Sequence, residues 1–365
     1  PRAELSDDTA ENCWGSEILH SLLERNNEYL RSPQNFLRGS PVGRVLDAGG
    51  GNLDEDLQFV FLRFGNTIQC VKEKSFYLKI PAGLHFENAV CGHGWYDLPP
   101  FAFDGEAGKL RYTFAIDGKK AATLAISPSK ERLRVIAPAE MGREAVENAV
   151  RRMLRLDEGF QEFYELTAGD PSLAWAAGLG AGRLLRSATV FEDLIKTICT
   201  TNCSWSLTRK MVANLTESLG AECRAGNRAF PTAEAMAAMS PDFYRNEIRA
   251  GYRSDYLAEV AEGVASGMID PESWLISDLP TPELKKELLK VKGIGTYAAE
   301  HLLKLLGRYD GLALDSWLRA RFAEKHNRGR PAPDAKIARH YKKYGKWQGL
   351  AIWCDMTADW FSEKS

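Results

Sequence analysis

The chain has no apolar run of eighteen residues, and its N-terminal residues are acidic where a secretory signal would carry positive charge ahead of an apolar stretch. Neither membrane spanning nor secretion is expected, and no membrane partner. The seven cysteines, Cys13, Cys70, Cys91, Cys199, Cys203, Cys223 and Cys354, include no C-x-x-C pair and none of the spacings that hold zinc or an iron–sulfur cluster. Free thiols in a reducing compartment follow: the cytoplasm, at the nucleoid, for a bacterial chain, or the nucleus for a eukaryotic one. His85 and His93 flank Cys91 with no fourth ligand in familiar spacing, so they read as surface or packing residues. No solenoid period is visible. What is present is an ordinary globular composition: 365 residues, 44% hydrophobic and 26% charged. That is enough for two or three domains and excludes disorder of the whole chain.

The net charge of −2 at first disfavours a polyanionic partner. Residues 281–365, however, hold 17 Lys and Arg against 10 Asp and Glu, a net +7, whereas residues 1–65 hold 6 against 11, a net −5. The basic run Arg319, Arg321, Lys325, Arg328, Arg330, Lys336, Arg339, Lys342, Lys343 and Lys346 is either a solvated face or a source of phosphate contacts. In the second case binding weakens with salt.

Residues 1–65 read as an appendage, with an amphipathic helix near 16–30 and a Pro/Gly-containing stretch after it. From residue 66 to 140 the pattern is β-rich, with runs at 67–71, 75–80, 111–116, 121–127 and 132–137 and turn signals at Asp117-Gly118 and Ser127–Lys130. From 141 to 365 it is helical, opening on the apolar period of Ala145, Ala149 and Met153. Further helices are expected at 190–201, 204–219, 255–265, 282–290 and 296–306, with Pro231, Pro241, Pro271, Pro280 and Pro282 at their boundaries. The fold class is α+β: a small N-terminal antiparallel β-sheet domain followed by an all-α domain.

The most informative stretch is residues 288–321. Two apolar helices flank Val291-Lys292-Gly293-Ile294-Gly295-Thr296, a turn that lets the second helix start with bare backbone N–H groups, which is an anion site made of main chain. Closing a helical hairpin is the other use of such glycines. Asp315, in Gly311-Leu-Ala-Leu-Asp-Ser-Trp317, stands at an expected helix N-cap. Capping and catalysis are compatible there, because a helix start favours the ionised carboxylate that stabilises a cationic sugar or orients water.

These residues resemble the helix-hairpin-helix DNA glycosylases of base-excision repair, whose signature is such a hairpin, a Gly/Pro-rich loop and an aspartate. The branches most similar are the 8-oxoguanine glycosylases and the 3-methyladenine glycosylases II. Ile198-Cys-Thr-Thr-Asn202, Leu207–Val212 and Gly251-Tyr-Arg-Ser-Asp-Tyr256 extend the likeness, which spans about residues 67–355. It implies an all-α glycosylase domain, Asp315 as catalytic carboxylate, and Gly293, Gly295, Thr296 and Ala298 on a DNA phosphate. It also implies Asn202 in the gap left by the flipped nucleotide, and the backbone carbonyls of Leu289, Val291 and Ile294 on a monovalent cation, K+ or Na+. No other cofactor is expected. The partner is double-stranded DNA containing a damaged base, and the protein a monomer.

One departure bears on the chemistry. Bifunctional members carry a lysine two positions after the second hairpin glycine, where its amine attacks C1′; here that residue is Tyr297. Lys292 precedes the hairpin and is not its substitute. A monofunctional enzyme is expected, hydrolysing the N-glycosidic bond without cutting the strand. Tyr297, Trp317 and Trp205 are the candidate stacking surface for the extruded base. Electron-rich rings favour a cationic alkylated purine; an oxidised purine such as 8-oxoguanine is the alternative. Two rivals stand beside this reading. One is a non-catalytic DNA-binding protein using the hairpin. The other is a methyltransferase, prompted by the glycine-rich Val45–Asn52, against which the missing alternation of strands and helices speaks.

Overall fold

The computed structural model describes residues 42–47, 55–64, 67–116 and 118–362, with backbone alone up to residue 71. The helix predicted near 16–30 and the glycines at 49–51 lie outside the described residues. The chain divides into two units, Pro1–Leu78 with Arg134–Gly142, and Lys79–Leu133 with Arg143–Ser365.

In the first unit β1 (Val42–Asp47), β2 (Glu55–Phe64) and β3 (Thr67–Lys79) form an antiparallel meander. Runs such as Gln-Phe-Val-Phe-Leu suit a pleated surface because aromatic and β-branched side chains pack across it. Val60 lies opposite both Val45 and Val71. The strands thus begin inside the stretch read as an appendage. Because β1 pairs antiparallel with the next strand, the parallel β-α-β unit that a nucleotide loop at Val45–Asn52 requires is not formed.

The second unit opens with α1 (Phe86–Cys91), a 3-10 turn at Gly94–Asp97, and the antiparallel strands β4 (Phe101–Asp104), β5 (Lys109–Ala115) and β6 (Ala121–Ser129). Leu110 and Tyr112 face Ile126 and Leu124 across β5 and β6, and all four are buried, as a period of two demands. β6 runs to Ser129, two residues past the expected end, and a turn with Lys130 at φ +54 leads into β7 (Arg132–Pro138), which from Arg134 onward belongs to the first unit.

Helices follow. The buried face of α2 (Arg143–Leu154) is Val146, Val150, Met153 and Leu154, while Ala145 is exposed. Of the predicted Ala145, Ala149 and Met153, only Met153 is buried, because Val146 and Val150, larger than the alanines beside them, take the core. After α3 (Gln161–Ala168) and α4 (Trp175–Gly178), α5 (Val190–Thr200) is buried along almost its whole length. Its charges are neutralised in place: Glu192 accepts from Tyr112 at 2.5 Å and Lys196 at 2.6 Å, and Asp193 accepts from Trp95 Nε1 at 2.8 Å. Then come α6 (Trp205–Leu219), α7 (Ala233–Ala237), α8 (Pro241–Asn246) and α9 (Ser254–Ala265). Thr189, Ser204, Thr232 and Ser240 cap the N-termini of α5 to α8 through side-chain oxygens, which fixes those starts where the sequence places a hydroxyl residue. The chain closes with α10 (Thr281–Leu288), α11 (Thr296–Leu305), α12 (Ser316–His326), α13 (Asp334–Tyr341), α14 (Gln348–Met356) and α15 (Asp359–Ser362). These last helices pack on α3 through Phe160, Phe163, Phe322, Tyr341, Trp347 and Leu350. Among the described residues no helix is long and apolar enough to cross a membrane.

Candidate active site and nucleic-acid interface

α10 and α11 stand on either side of the turn predicted at residues 291–296. Gly293 has φ +86, and a Cβ there would stand 2.8 Å from the Tyr256 ring, so both the backbone conformation and the close approach demand glycine. The Ile294 N–H folds back onto the Val291 carbonyl at 3.1 Å. Gly295 is the N-cap of α11, at φ −90, and no side chain caps that helix. Its first-turn N–H groups are thus left for an external acceptor.

A cleft of about 390 Å3 opens at this helix start, lined by Thr201, Asn202, Tyr252, Tyr256 and residues 293–298. It brings Asn202 together with Gly293, Gly295, Thr296, Tyr297 and Ala298. The loop after α5 is held from below: the Arg253 guanidinium donates to the Thr201 carbonyl, to Thr201 Oγ1 at 3.2 Å, and lies 4.5 Å from the Tyr252 ring centre. At its tip Asn202 has φ +45 and donates from Nδ2 to the Tyr252 hydroxyl at 3.4 Å. Tyr252 is 51% exposed. Its position in Gly251–Tyr256 was noted from sequence, but its pairing with Asn202 was not.

Asp315 is the N-cap of α12, and its Oδ1 accepts from the Leu318 N–H at 2.7 Å. Tyr297 faces it closely enough to feel its charge: burial, and then the Asp315 carboxylate, push the phenol up to about 12 against a hydrogen bond with Thr200. The Tyr297 ring stacks on His301, with centroids 5.8 Å apart and planes at 28°.

His301 leads into an array of rings that sequence reading missed. It lies 5.4 Å from Trp95 and 5.2 Å from His93; Trp95 stacks on Trp205 at 6.5 Å, and His93 lies 5.6 Å from Trp353, itself 6.3 Å from Trp317. The three candidates Tyr297, Trp205 and Trp317 are therefore outlying members of one array whose centre is His93, Trp95, His301 and Trp353. Trp205 is 39% exposed and donates to Asp97 at 2.9 Å. A Cβ on Gly94 would stand 2.7 Å from its ring, so the Gly in His93-Gly94-Trp95 is the one local mark of this contact. Burial and the Lys304 ammonium push His301 down to about 3, and its Nε2, although buried, has no hydrogen-bond partner. It is a neutral imidazole with one nitrogen unused. His93 is a packing residue, with Nδ1 3.0 Å from the Leu185 carbonyl, and His85 is exposed.

Half of the basic run is paired within the chain. Arg319 binds Asp334, Arg321 binds Asp359, Lys325 binds Asp355, Lys343 binds Asp170 and Lys346 binds Glu162. Arg328, Arg330, Arg339 and Lys342 are exposed and make no such pair among the described residues. Lys292 pairs with Glu259 on the exposed side of the hairpin. Among the described residues, His326, His340 and Asp355 bring one potential metal-ligand atom each within 4.8 Å of one another. Asp355 is already occupied, by His326 at 2.7 Å, Tyr341 at 2.5 Å and Lys325 at 2.6 Å, which reads as a structural tie between α12, α13 and α14.

No family model and no curated protein sequence matches the chain. Solved structures do, and the fold they share with it is that of helix-hairpin-helix DNA glycosylases. The 3-methyladenine DNA-glycosylase from Archaeoglobus fulgidus is similar over 79% of this chain and 99% of its own, at 22% identity and a TM-score of 0.64. The Clostridium acetobutylicum 8-oxoguanine glycosylase/lyase, solved with double-stranded DNA containing cytosine opposite 8-oxoG, is similar over 88% of this chain and 100% of its own, at 18% identity and a TM-score of 0.58. A complex of MBOgg1 with a low-affinity DNA ligand matches at 18% identity and a TM-score of 0.61, over 83% of this chain and 99% of its own.

Proposed function

We propose that the protein is a monofunctional DNA glycosylase that flips a damaged purine out of double-stranded DNA and hydrolyses its N-glycosidic bond. The carrying observation is the cleft in which the Asn202–Tyr252 tip faces the uncapped start of α11, with the Asp315 carboxylate beside Tyr297. The N–H groups of Gly293, Gly295, Thr296 and Ala298 bind a backbone phosphate, and Asn202 fills the gap left by the extruded nucleotide. The Leu318 N–H holds the Asp315 carboxylate in place, where it stabilises the sugar cation as the bond from C1′ to the base nitrogen breaks and orients the water whose oxygen bonds to C1′.

The absence of a lysine at the position two beyond Gly295 supports the monofunctional reading. Tyr297 occupies that position as a neutral phenol. Lys304 lies seven residues further along α11, about 10 Å at 1.5 Å per residue, and its Nζ is bound to the Leu312 carbonyl. The product is then an abasic site in an intact strand. A monovalent cation fits the hairpin carbonyls of Leu289, Val291 and Ile294: the donors are neutral oxygens, and the Val291 carbonyl keeps a lone pair after accepting from Ile294.

The ring array favours an alkylated, cationic purine by cation–π attraction. The free Nε2 of His301 favours the second reading, an oxidised purine held by a directed hydrogen bond. A panel of duplexes bearing single lesions, with abasic sites revealed by alkali, separates the two. Asp315→Asn is expected to lower base release by about 100-fold or more. Equal rates for the variant and wild type, or binding without release of any base, would leave the hairpin as a DNA-binding device only. A borohydride-trapped covalent complex would restore a lyase step.

A further inference from the structure

We propose that Lys304 and Glu300 are positioning residues, which together grip one peptide unit of the loop before α12 and so fix where the Asp315 carboxylate stands. This rests on Asp315 being the catalytic carboxylate. Glu300 and Lys304 are four residues apart on α11, hence on one face of the helix. The peptide unit joining Leu312 to Ala313 lies against that face. Its N–H donates to Glu300 Oε2 at 2.7 Å and its carbonyl accepts from Lys304 Nζ at 2.9 Å. A carboxylate thus holds one end of the peptide dipole and an ammonium the other, and both bonds are charge-assisted.

The grip is needed because of what the chain does there. Ala313 has φ +50, a left-handed conformation that a residue with a Cβ does not adopt unless its surroundings impose it. The space around it is equally determined. A Cβ on Gly311 would stand 2.7 Å from the Glu300 side chain, and the Gly349 N–H binds the Tyr309 carbonyl at 2.7 Å. Asp315 follows two residues later, so rotation of the 312–313 peptide swings the carboxylate directly. Glu300 is itself fixed by Lys285 at 2.5 Å.

Lys304 is 1% exposed. Facing it are Glu300 on its own helix, Asp315 from the loop and Cys354 from α14, with His301 and His93 also within electrostatic reach, while the cationic Arg155 binds its main-chain carbonyl. Burial pushes the amine down to about 8 against the pull of Glu300 and Asp315. It is charged below that value and loses its charge as the pH rises through it. The rate should follow the charged form.

The test compares Lys304→Met, Lys304→Gln, Glu300→Ala, Glu300→Gln and Asp315→Asn in the full chain. Single-turnover base release is read on 7-methylguanine and 8-oxoguanine duplexes, binding on a duplex with a tetrahydrofuran abasic analogue. Lys304→Met and Glu300→Ala should slow release about 10- to 100-fold, as expected for a misplaced reacting group, while duplex affinity changes by less than about threefold. Lys304→Gln and Glu300→Gln, which keep a donor and an acceptor, should recover much of the rate. The fall in wild-type rate above pH 8 should be absent in Lys304→Gln. Unchanged rates in Lys304→Met and Glu300→Ala, with Asp315→Asn inactive, overturn the inference. Where Lys304→Met does not fold, a Lys304→Gln protein with the wild-type alkaline limb overturns it too. An active Asp315→Asn protein instead removes the catalytic reading beneath it.

Discussion

The two ends of α11 are built in opposite ways. At its start stands Gly295, exposed and without a side-chain cap. At its end the carbonyls are saturated by buried cations: Arg155 Nη2 donates to Lys304 at 2.8 Å and to Leu305 at 3.0 Å, and Arg186 Nη1 donates to Leu305 at 3.0 Å. A helix carries partial positive charge at its start and partial negative charge at its end. Here the negative end is answered by side chains of the protein, and the positive end meets no side-chain cap. The difference marks the saturated end as structural and the open start as the terminus that the proposed function uses.

The largest effect should come from breaking the saturated end. Arg155 is fully buried, and besides the helix carbonyls it binds the Leu184 carbonyl at 2.7 Å, Glu158 at 2.8 Å and the Tyr309 hydroxyl at 3.1 Å. Arg155→Met takes the donor from the Leu184 carbonyl and leaves the half-buried Glu158 carboxylate with Arg186 and Tyr309 alone, at a cost of about 3 kcal/mol. Urea denaturation measures it, and a loss below about 1 kcal/mol would show that the network is dispensable. The pH dependence follows the same pair. Burial would raise the Glu158 carboxyl, but Arg155 and Arg186 hold it below its usual value. Its contribution is present above the unfolded pKa and is lost as the pH falls through the depressed folded one. The wild type should therefore lose stability in acid more steeply than Arg155→Met does.

A smaller effect is expected at the turn. Gly293→Ala must hold φ +86 and place a methyl 2.8 Å from the Tyr256 ring, which costs about 2 kcal/mol in the same assay. No loss there would mean that the hairpin can relax away from α9.

How much of this was legible in the sequence follows from distance along the chain. The hairpin and Asp315 could be read because their physics is local: two glycines one residue apart, then an aspartate at a helix start, each with a conformational reason to be there. The sheet and the helical half were legible from periodicity, although Val146 and Val150 took the face that Ala145 and Ala149 suggested. The centre of the ring array was not. Trp95 reaches its partner Asp193 across 98 residues, and apart from Gly94 beside it nothing near it in sequence marks the array. Arg155 and Lys304 were hidden for a related reason. A lysine on an amphipathic helix reads as solvated, and only the tertiary fold shows that its amine is enclosed by Leu312 and Asp315. The pairing of Lys343 and Lys346 in the basic run was hidden likewise, since their carboxylate partners Asp170 and Glu162 lie more than 150 residues upstream.

The smallest change in stability, and the sharpest test of the comparison, is at Gly295. A Cβ there meets nothing within 4 Å, and the backbone is extended, so a side chain is tolerated. Gly295→Asp would supply the cap that α11 lacks and place a negative charge at its positive end, which raises stability by about 0.5 kcal/mol. If those N–H groups serve a phosphate, the same substitution must weaken duplex binding, by about tenfold at low salt and less at high salt, where repulsion is screened. Gly295→Asn separates the two causes, since it occupies the N–H groups without adding charge. Its affinity should fall between wild type and Gly295→Asp. A Gly295→Asp protein that is more stable and binds duplex as well as before would mean that the open start of α11 is not where the DNA backbone is held.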